Sequence, residues 1–305
     1  MIRSLILKVA KLKFQVRNLF AQLILLLLLS GLILLSCSQP QPLIILMTDF
    51  GEKDFYIGAI KGAIYKVNPN ARIDYISNYI PKFNVEEGAY TLLKSAVEYP
   101  AGTIFVVVVD PGVGTKRKPI AVKTNDGKIY IGPDNGIFSL VIEKFGLAAI
   151  FEISNPDVMQ KDKMSSTFHG RDIFGPAGGH LSRGVPIEQL GGVLADYVRF
   201  DSEKARIVDG KVVGKIVVVD DYGNVISNIQ KSLFEELAWS LGGPLKVKVG
   251  SREFSVEFVK AYGDVPTGGY LGLFGSGEVF EVAINQGNLS KALNLKSGER
   301  IEISK

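Results

Sequence analysis

The chain has 305 residues, 47% of them hydrophobic and 22% charged, with a formal net charge of +4. The basic excess lies in the first 36 residues, which hold Arg3, Lys8, Lys11, Lys13 and Arg17 and no acid, so beyond them 30 basic side chains face 31 acidic ones. That balance lacks the clustered Lys and Arg on which nucleic-acid binding rests, and nucleic acid is not an expected partner.

After the basic stretch comes an apolar run from Leu19 to Leu35, closed by Leu34-Leu35-Ser36-Cys37. This resembles the lipobox of bacterial lipoproteins, and Cys37 is the chain's one cysteine. A single thiol makes neither an internal disulfide nor a multi-cysteine zinc site. The expectation is a signal peptide over 1–36, lipid on Cys37 and a short tether over 37–42, leaving the body in the cell envelope outside the cytoplasm. An uncleaved anchor is the alternative, since about 17 to 25 apolar residues span a bilayer.

From Leu43 the first half alternates strand and helix patterns. Leu43 to Met47 reads as a strand. Phe55 to Val67 reads as a helix with Tyr56, Ile60, Ile64 and Val67 on one face and Asp54 able to cap it. Arg72 to Ser77 is a second strand, Val85 to Tyr99 a second helix and Ile104 to Val109 a third, wholly apolar strand. Ile120 to Thr124 and Ile129 to Ile131 flank Asn125-Asp126-Gly127 as a hairpin. Phe138 to Phe145 reads as helix and Ile150 to Ile153 as strand. The fold class is α/β, with a mostly parallel α/β sandwich domain over 43–204. Short strands then follow at Lys215 to Asp220, Val225 to Ile229, Leu245 to Val249, Ser255 to Val259, Val279 to Ile284 and Arg300 to Ile303, with little helix between. They predict a second, smaller β-rich domain over 205–305.

There is no Gly-x-Ser-x-Gly elbow, His-Glu-x-x-His or Walker loop. His169 and His180 are the two histidines, too few for a histidine-rich metal site, though carboxylates could still hold a metal; the expectation is that no metal or other cofactor is used. Polar residues and glycines gather instead at the carboxyl ends of the strands, where open α/β sheets bind ligands. Thr48-Asp49-Phe50-Gly51 follows the first strand; Asp110-Pro111-Gly112-Val113-Gly114-Thr115, with Arg117 beyond, follows the third. Each fits a turn closed by a surface ion pair as well as a ligand contact. Pro133-Asp134-Asn135-Gly136 is a turn first. Ser166-Thr167-Phe168-His169-Gly170-Arg171-Asp172 concentrates polar side chains before a helix, and Asp220-Asp221-Tyr222-Gly223-Asn224 fits a tight hairpin or a ligand contact.

Taken in order, and with Glu281-Val282-Ala283-Ile284-Asn285 as the last, these six motifs resemble the S-adenosylmethionine hydroxide adenosyltransferase family, relatives of the fluorinase and chlorinase. The resemblance runs from about Ile44 to the C-terminus. It implies an N-terminal α/β domain, a C-terminal β-barrel-like domain, and a homotrimer with sites between the N-terminal domain of one subunit and the C-terminal domain of the next. It also implies hydrolysis of S-adenosylmethionine, as a small-molecule substrate, to adenosine and methionine. By the same resemblance Asp49 holds the ribose hydroxyls, Asp110, Arg117 and His169 handle water, Asp220 takes the methionine ammonium, Tyr222 and Asn224 meet adenine with Tyr262 opposite, and Ser276 meets the carboxylate. The halogenases carry Arg beside that serine where this chain has Gly277, and Tyr where it has Asp110 and His169. Two other readings are a tethered nucleoside-binding lipoprotein without turnover and a halide adenosyltransferase.

Overall fold

The computed structural model describes residues 13–24, 41–161, 164–200 and 203–305. Residues 13–24 are helical, and Pro42–Lys305 form a compact unit. Cys37 lies outside the described residues, as does most of the apolar run. Among the described residues no helix is long and apolar enough to cross a membrane.

The first half of the main unit is a six-stranded sheet. Its strands are β1 (Leu43–Thr48), β2 (Arg72–Ser77), β3 (Ile104–Val108), β4 (Pro119–Thr124), β5 (Ile129–Pro133) and β6 (Leu147–Glu152), in the order β2-β1-β3-β5-β4-β6. β2, β1, β3 and β5 are parallel, and β4 runs antiparallel to β5 and β6. β3 is Ile-Phe-Val-Val-Val and buried along its whole length, as expected of a central parallel strand covered on both faces. On one face Ile44, Leu46, Val106 and Ile131 pack with Ile60 and Ile64 of α1 (Tyr56–Val67) and with Phe174, Ala177 and Leu181. On the other, Ile45, Phe105 and Tyr130 pack with Leu92 of α2 (Val85–Ala96) and Val141 of α3 (Ser139–Phe145).

Two local expectations for α1 are corrected. Its N-cap is Phe55, with no side-chain cap from Asp54, and its buried residues are Ile57, Ile60, Ala63 and Ile64. Tyr56 is 38% exposed. It leaves the sheet face because its ring joins Phe50 and Phe168 at 5.6 and 5.3 Å between centroids. The sheet's last helix, α4 (Gly175–Ser182), reads Gly-Pro-Ala-Gly-Gly-His-Leu-Ser, a sequence of poor helix propensity. Close approach explains the glycines: a Cβ at Gly178 would lie 2.8 Å from Val106, and one at Gly179 2.9 Å from Val67.

The second half contains β7 (Arg206–Val208), β8 (Lys211–Val219), β9 (Val225–Gln230), β10 (Gly243–Val249), β11 (Arg252–Phe258), β12 (Tyr270–Phe274), β13 (Val279–Ile284) and β14 (Arg300–Ser304). β14 pairs with both β10 and β8, which closes β8 to β14 into a seven-stranded barrel, with β7 added beside β8. Two short helices accompany it, α5 (Lys231–Glu236) and α6 (Leu289–Leu293). Strand alternation supplies the barrel core: Leu245, Val247 and Val249 of β10 are buried while Lys246 and Lys248 are exposed. β12 was not among the expected strands. Its central Gly272 weakens the pattern, yet a Cβ there would lie 2.5 Å from the Phe280 ring, which fills the barrel.

Candidate active site

In the order β2-β1-β3 the chain moves to opposite sides of β1, so the carboxyl ends of β1 and β3 flank the point where an open sheet leaves a crevice. Asp49 follows β1 and Asp110 follows β3. Asn135 donates from its amide to the carbonyl of Val109 at 2.9 Å, so the Pro133–Gly136 turn braces the residue before Asp110.

Asp110, Arg117 and His169 are in contact. Arg117 donates from Nε to Asp110 Oδ1 at 3.0 Å and from Nη2 to Asp110 Oδ2, and Nη2 also lies 2.7 Å from His169 Nδ1. Guanidinium nitrogens only donate, so Nδ1 accepts, and the neutral imidazole carries its proton on Nε2. Burial, and then the Arg117 charge, hold the His169 pKa below its usual value, with Asp110 and Asp172 opposing. The Asp110 and Arg117 side chains are 5% and 8% exposed, and Arg117 Nη1 is buried without a protein partner. The guanidinium also lies 5.3 Å from the centre of the Phe174 ring.

The loops that carry this group are held by residues the sequence reading left without a role. Asp172 is fully buried, and its carboxylate accepts from the Ser165 N–H at 2.7 Å and from Arg171 Nε at 2.6 Å. It thereby folds the Ser165–Asp172 segment over the π-helical turn Gly170–Phe174. Gly114 has φ +78°, and a Cβ there would sit 2.5 Å from the Ser166 carbonyl, so this glycine lets the Arg117 loop meet the His169 loop. Buried acids with local partners are hard to single out in a sequence; Asp172, within the fourth motif, was visible only as one polar residue among several.

Asp49 is 5% exposed; its Oδ2 accepts from the Phe83 N–H at 2.9 Å, and Lys82 donates to its carbonyl. The ring of the adjacent Phe50 lies 6.1 Å from that of Phe168, next to His169.

The remaining expected residues stand on the barrel. Asp220–Asn224 is the hairpin turn between β8 and β9, and Asp220 accepts from the Asn224 N–H at 2.8 Å and from its amide at 3.0 Å. Asn224 is buried, whereas Tyr222 is 78% exposed. Tyr262 donates its hydroxyl to Glu281, a buried acid of the sixth motif. Burial raises the pKa of both Tyr262 and Glu281; their hydrogen bond raises Tyr262 and lowers Glu281, and the Asp220 charge raises both. Ser276, in the β12–β13 turn, lines the same cavity as Glu281. Among the described residues no hydrogen bond, ion pair or ring contact joins this barrel group to Asp49, Asp110, Arg117 or His169. Nor does any group of three or more His, Cys, Asp and Glu side chains stand close enough to hold a metal ion.

Comparison with known proteins agrees with this division into two groups. The N-terminal domain of SAM hydroxide adenosyltransferase matches residues 44–191, and its C-terminal domain matches 214–302. An (R)-S-adenosyl-L-methionine hydrolase of Methanocaldococcus jannaschii is 34% identical over 272 residues, covering 86% of this chain and 95% of the relative. A fluorinase of Nocardia brasiliensis is 28% identical over 291 residues, covering 86% of this chain and 97% of its own. A crystal structure of an uncharacterized conserved protein from Thermotoga maritima superposes with a TM-score of 0.82 at 40% identity, over 86% of this chain and all of that one. Both domains, in order and over most of its length, make this chain a member of the SAM hydroxide adenosyltransferase family.

Proposed function

We propose that this chain hydrolyses S-adenosylmethionine to adenosine and methionine. The observation that carries the reading is the Arg117 fork, which holds Asp110 and His169 together and keeps a buried Nη1 free for a third oxygen. Water attacks C5′ in line with the sulfonium; the C5′–S bond breaks, its electron pair stays on sulfur, and neutral methionine leaves without needing a general acid. The attacking oxygen must lose a proton. His169 presents an N–H at Nε2 and orients the water as a donor, so Asp110 is the acceptor, while Arg117 stabilises the developing hydroxide. Where the halogenases carry tyrosines, this chain has the acid and imidazole that serve water. Asp49 holds the ribose hydroxyls, Asp220 the ammonium, Tyr222, Asn224 and Tyr262 the adenine, and Ser276 the carboxylate.

That no described contact joins the two groups of residues, together with the family resemblance, supports a homotrimer in which each site is completed by the barrel of a neighbouring subunit. We place the boundary between the two domains near residue 205. The reaction uses no metal or organic cofactor. The leader supports cleavage before Cys37 and lipid attachment there, with the domains facing out of the cytoplasm.

Incubating the fragment from Ser38 onward with S-adenosylmethionine and separating products by chromatography tests the reading. Adenosine and methionine are expected in equal amounts with chelator present. Tight binding without product, or 5′-chloroadenosine on adding chloride, overturns it.

A further inference from the structure

Lys94 is the last basic residue of α2, and its Nζ donates to the carbonyl of Gly277 at 2.6 Å, joining the sheet half to the β12–β13 turn of the barrel. Both residues line a cavity of about 520 Å³ together with Ser276, Tyr90 and Glu281. A Cβ at Gly277 would lie 3.1 Å from the Tyr90 hydroxyl and 3.4 Å from Lys94 Nζ. A side chain at 277 would crowd the Tyr90 hydroxyl and the end of Lys94, which would have to give by a few tenths of an ångström. Gly277 accepts one of the three ammonium N–H bonds, and the Tyr90 ring lies 5.4 Å from the nitrogen. Burial lowers the Lys94 pKa, with nearby Glu278 opposing, the mark of an ammonium short of solvation.

We propose that Lys94 supplies the cation that binds the carboxylate of the substrate's amino-acid end, beside Ser276. The inference rests on the proposed hydrolysis of S-adenosylmethionine and names a residue for it that lies outside all six motifs. Within the cavity a carboxylate next to Ser276 stands by a lysine with two ammonium donors left over from Gly277.

The test compares S-adenosylmethionine with its analogue lacking the carboxylate, using the full chain in detergent, by KM and by calorimetric Kd. Wild type should prefer the carboxylate-bearing compound by about tenfold or more, the scale of a hydrogen bond between charged groups. Lys94→Met should weaken S-adenosylmethionine by that factor, leave the analogue unchanged and so abolish the preference; Lys94→Arg should keep part of it. Lys94→Gln replaces the methionine variant if that one fails to fold. A preference retained without the charge, equal weakening of both compounds, or no preference in wild type overturns the inference. Absence of adenosine with wild type would overturn the hydrolase reading instead, and the two Kd values would still decide the role of Lys94.

Discussion

At the scale of single residues, the Asp110–Arg117–His169 contact divides the labour between an acceptor and a donor. Asp110→Asn preserves shape and removes the proton acceptor, so single-turnover hydrolysis should fall by about 100-fold or more; His169→Ala removes an orienting group and should cost less than Asp110→Asn. Protonating His169 would put a proton on Nδ1 against the Arg117 guanidinium. Its pKa is lowered, so the neutral form persists below the usual histidine value of about 6.5, and turnover should decline only as pH falls beneath that value. The same sign applies to stability: this histidine's contribution is complete above the ordinary pKa and is lost as pH drops through the folded one. A pH–rate profile checks this, and the acid limb should be missing from His169→Ala. Tyr222, 78% exposed, has no packing role to lose. Tyr222→Ala should therefore weaken adenosine binding by roughly ten-fold, in line with about 1 to 3 kcal/mol for stacking on a base, with its melting temperature unmoved. Unchanged adenosine affinity would make Tyr222 a turn residue.

Helix α2 shows how one element joins the two halves of the main unit. Asn84 caps it by accepting from the Glu87 N–H at 3.1 Å, and the Asn84 amide donates to Glu87 at 3.0 Å and to Ser297 at 3.3 Å. Glu86 on the same turn pairs with Lys215 of β8 at 2.6 Å. Burial pushes the Glu87 pKa up to about 7, so the folded chain holds a proton there that the unfolded chain releases at lower pH. A raised carboxyl pKa stabilises the fold at acid pH and loses that contribution as pH rises through about 7. Glu87→Gln mimics the protonated acid while keeping the Asn84 contact. It should raise the melting temperature at pH 8 and change it little at pH 5, measured by calorimetry; equal effects at both values would remove Glu87 as the titrating group.

For the whole molecule, the lack of a described contact between the two groups of residues leads to a prediction about assembly. If each site takes its sheet half from one subunit and its barrel half from the next, Asp110→Asn and Asp220→Asn chains should complement each other. Co-expressed at equal levels, they should restore roughly a quarter of wild-type sites, since a ring of heterologous contacts assembles at random. Activity no higher than that of the separate variants would place each site within one chain. The leader makes its own prediction. Cys37→Ala should block processing and leave a longer precursor, whereas wild-type protein should carry acyl chains on Cys37 and fractionate with membranes, because several chains anchor stably where one does not. Mass spectrometry showing an intact Met1 and unmodified Cys37 would establish a signal anchor.

Much of this was legible in the sequence because the signals are local. Alternating strand and helix patterns in the first half, and short strands with Gly, Asn and Asp turns in the second, reflect periodicities of burial, and they correspond to the parallel-rich sheet and the barrel. Motifs that close strands could be located for the same reason, since a turn at a sheet edge needs particular residues. Contacts between distant segments left no such periodic trace. The sequence did not disclose that Arg117 bridges Asp110 and His169, that Asp172 braces the loop, or that Tyr262 rests on Glu281. Gly272 and the glycines of α4 run against local propensity and are explained only by what packs on them. Lys94 reads as an ordinary helix lysine until the fold lays it against Gly277, because a cation's role depends on which surface desolvates it, and that is decided by tertiary packing.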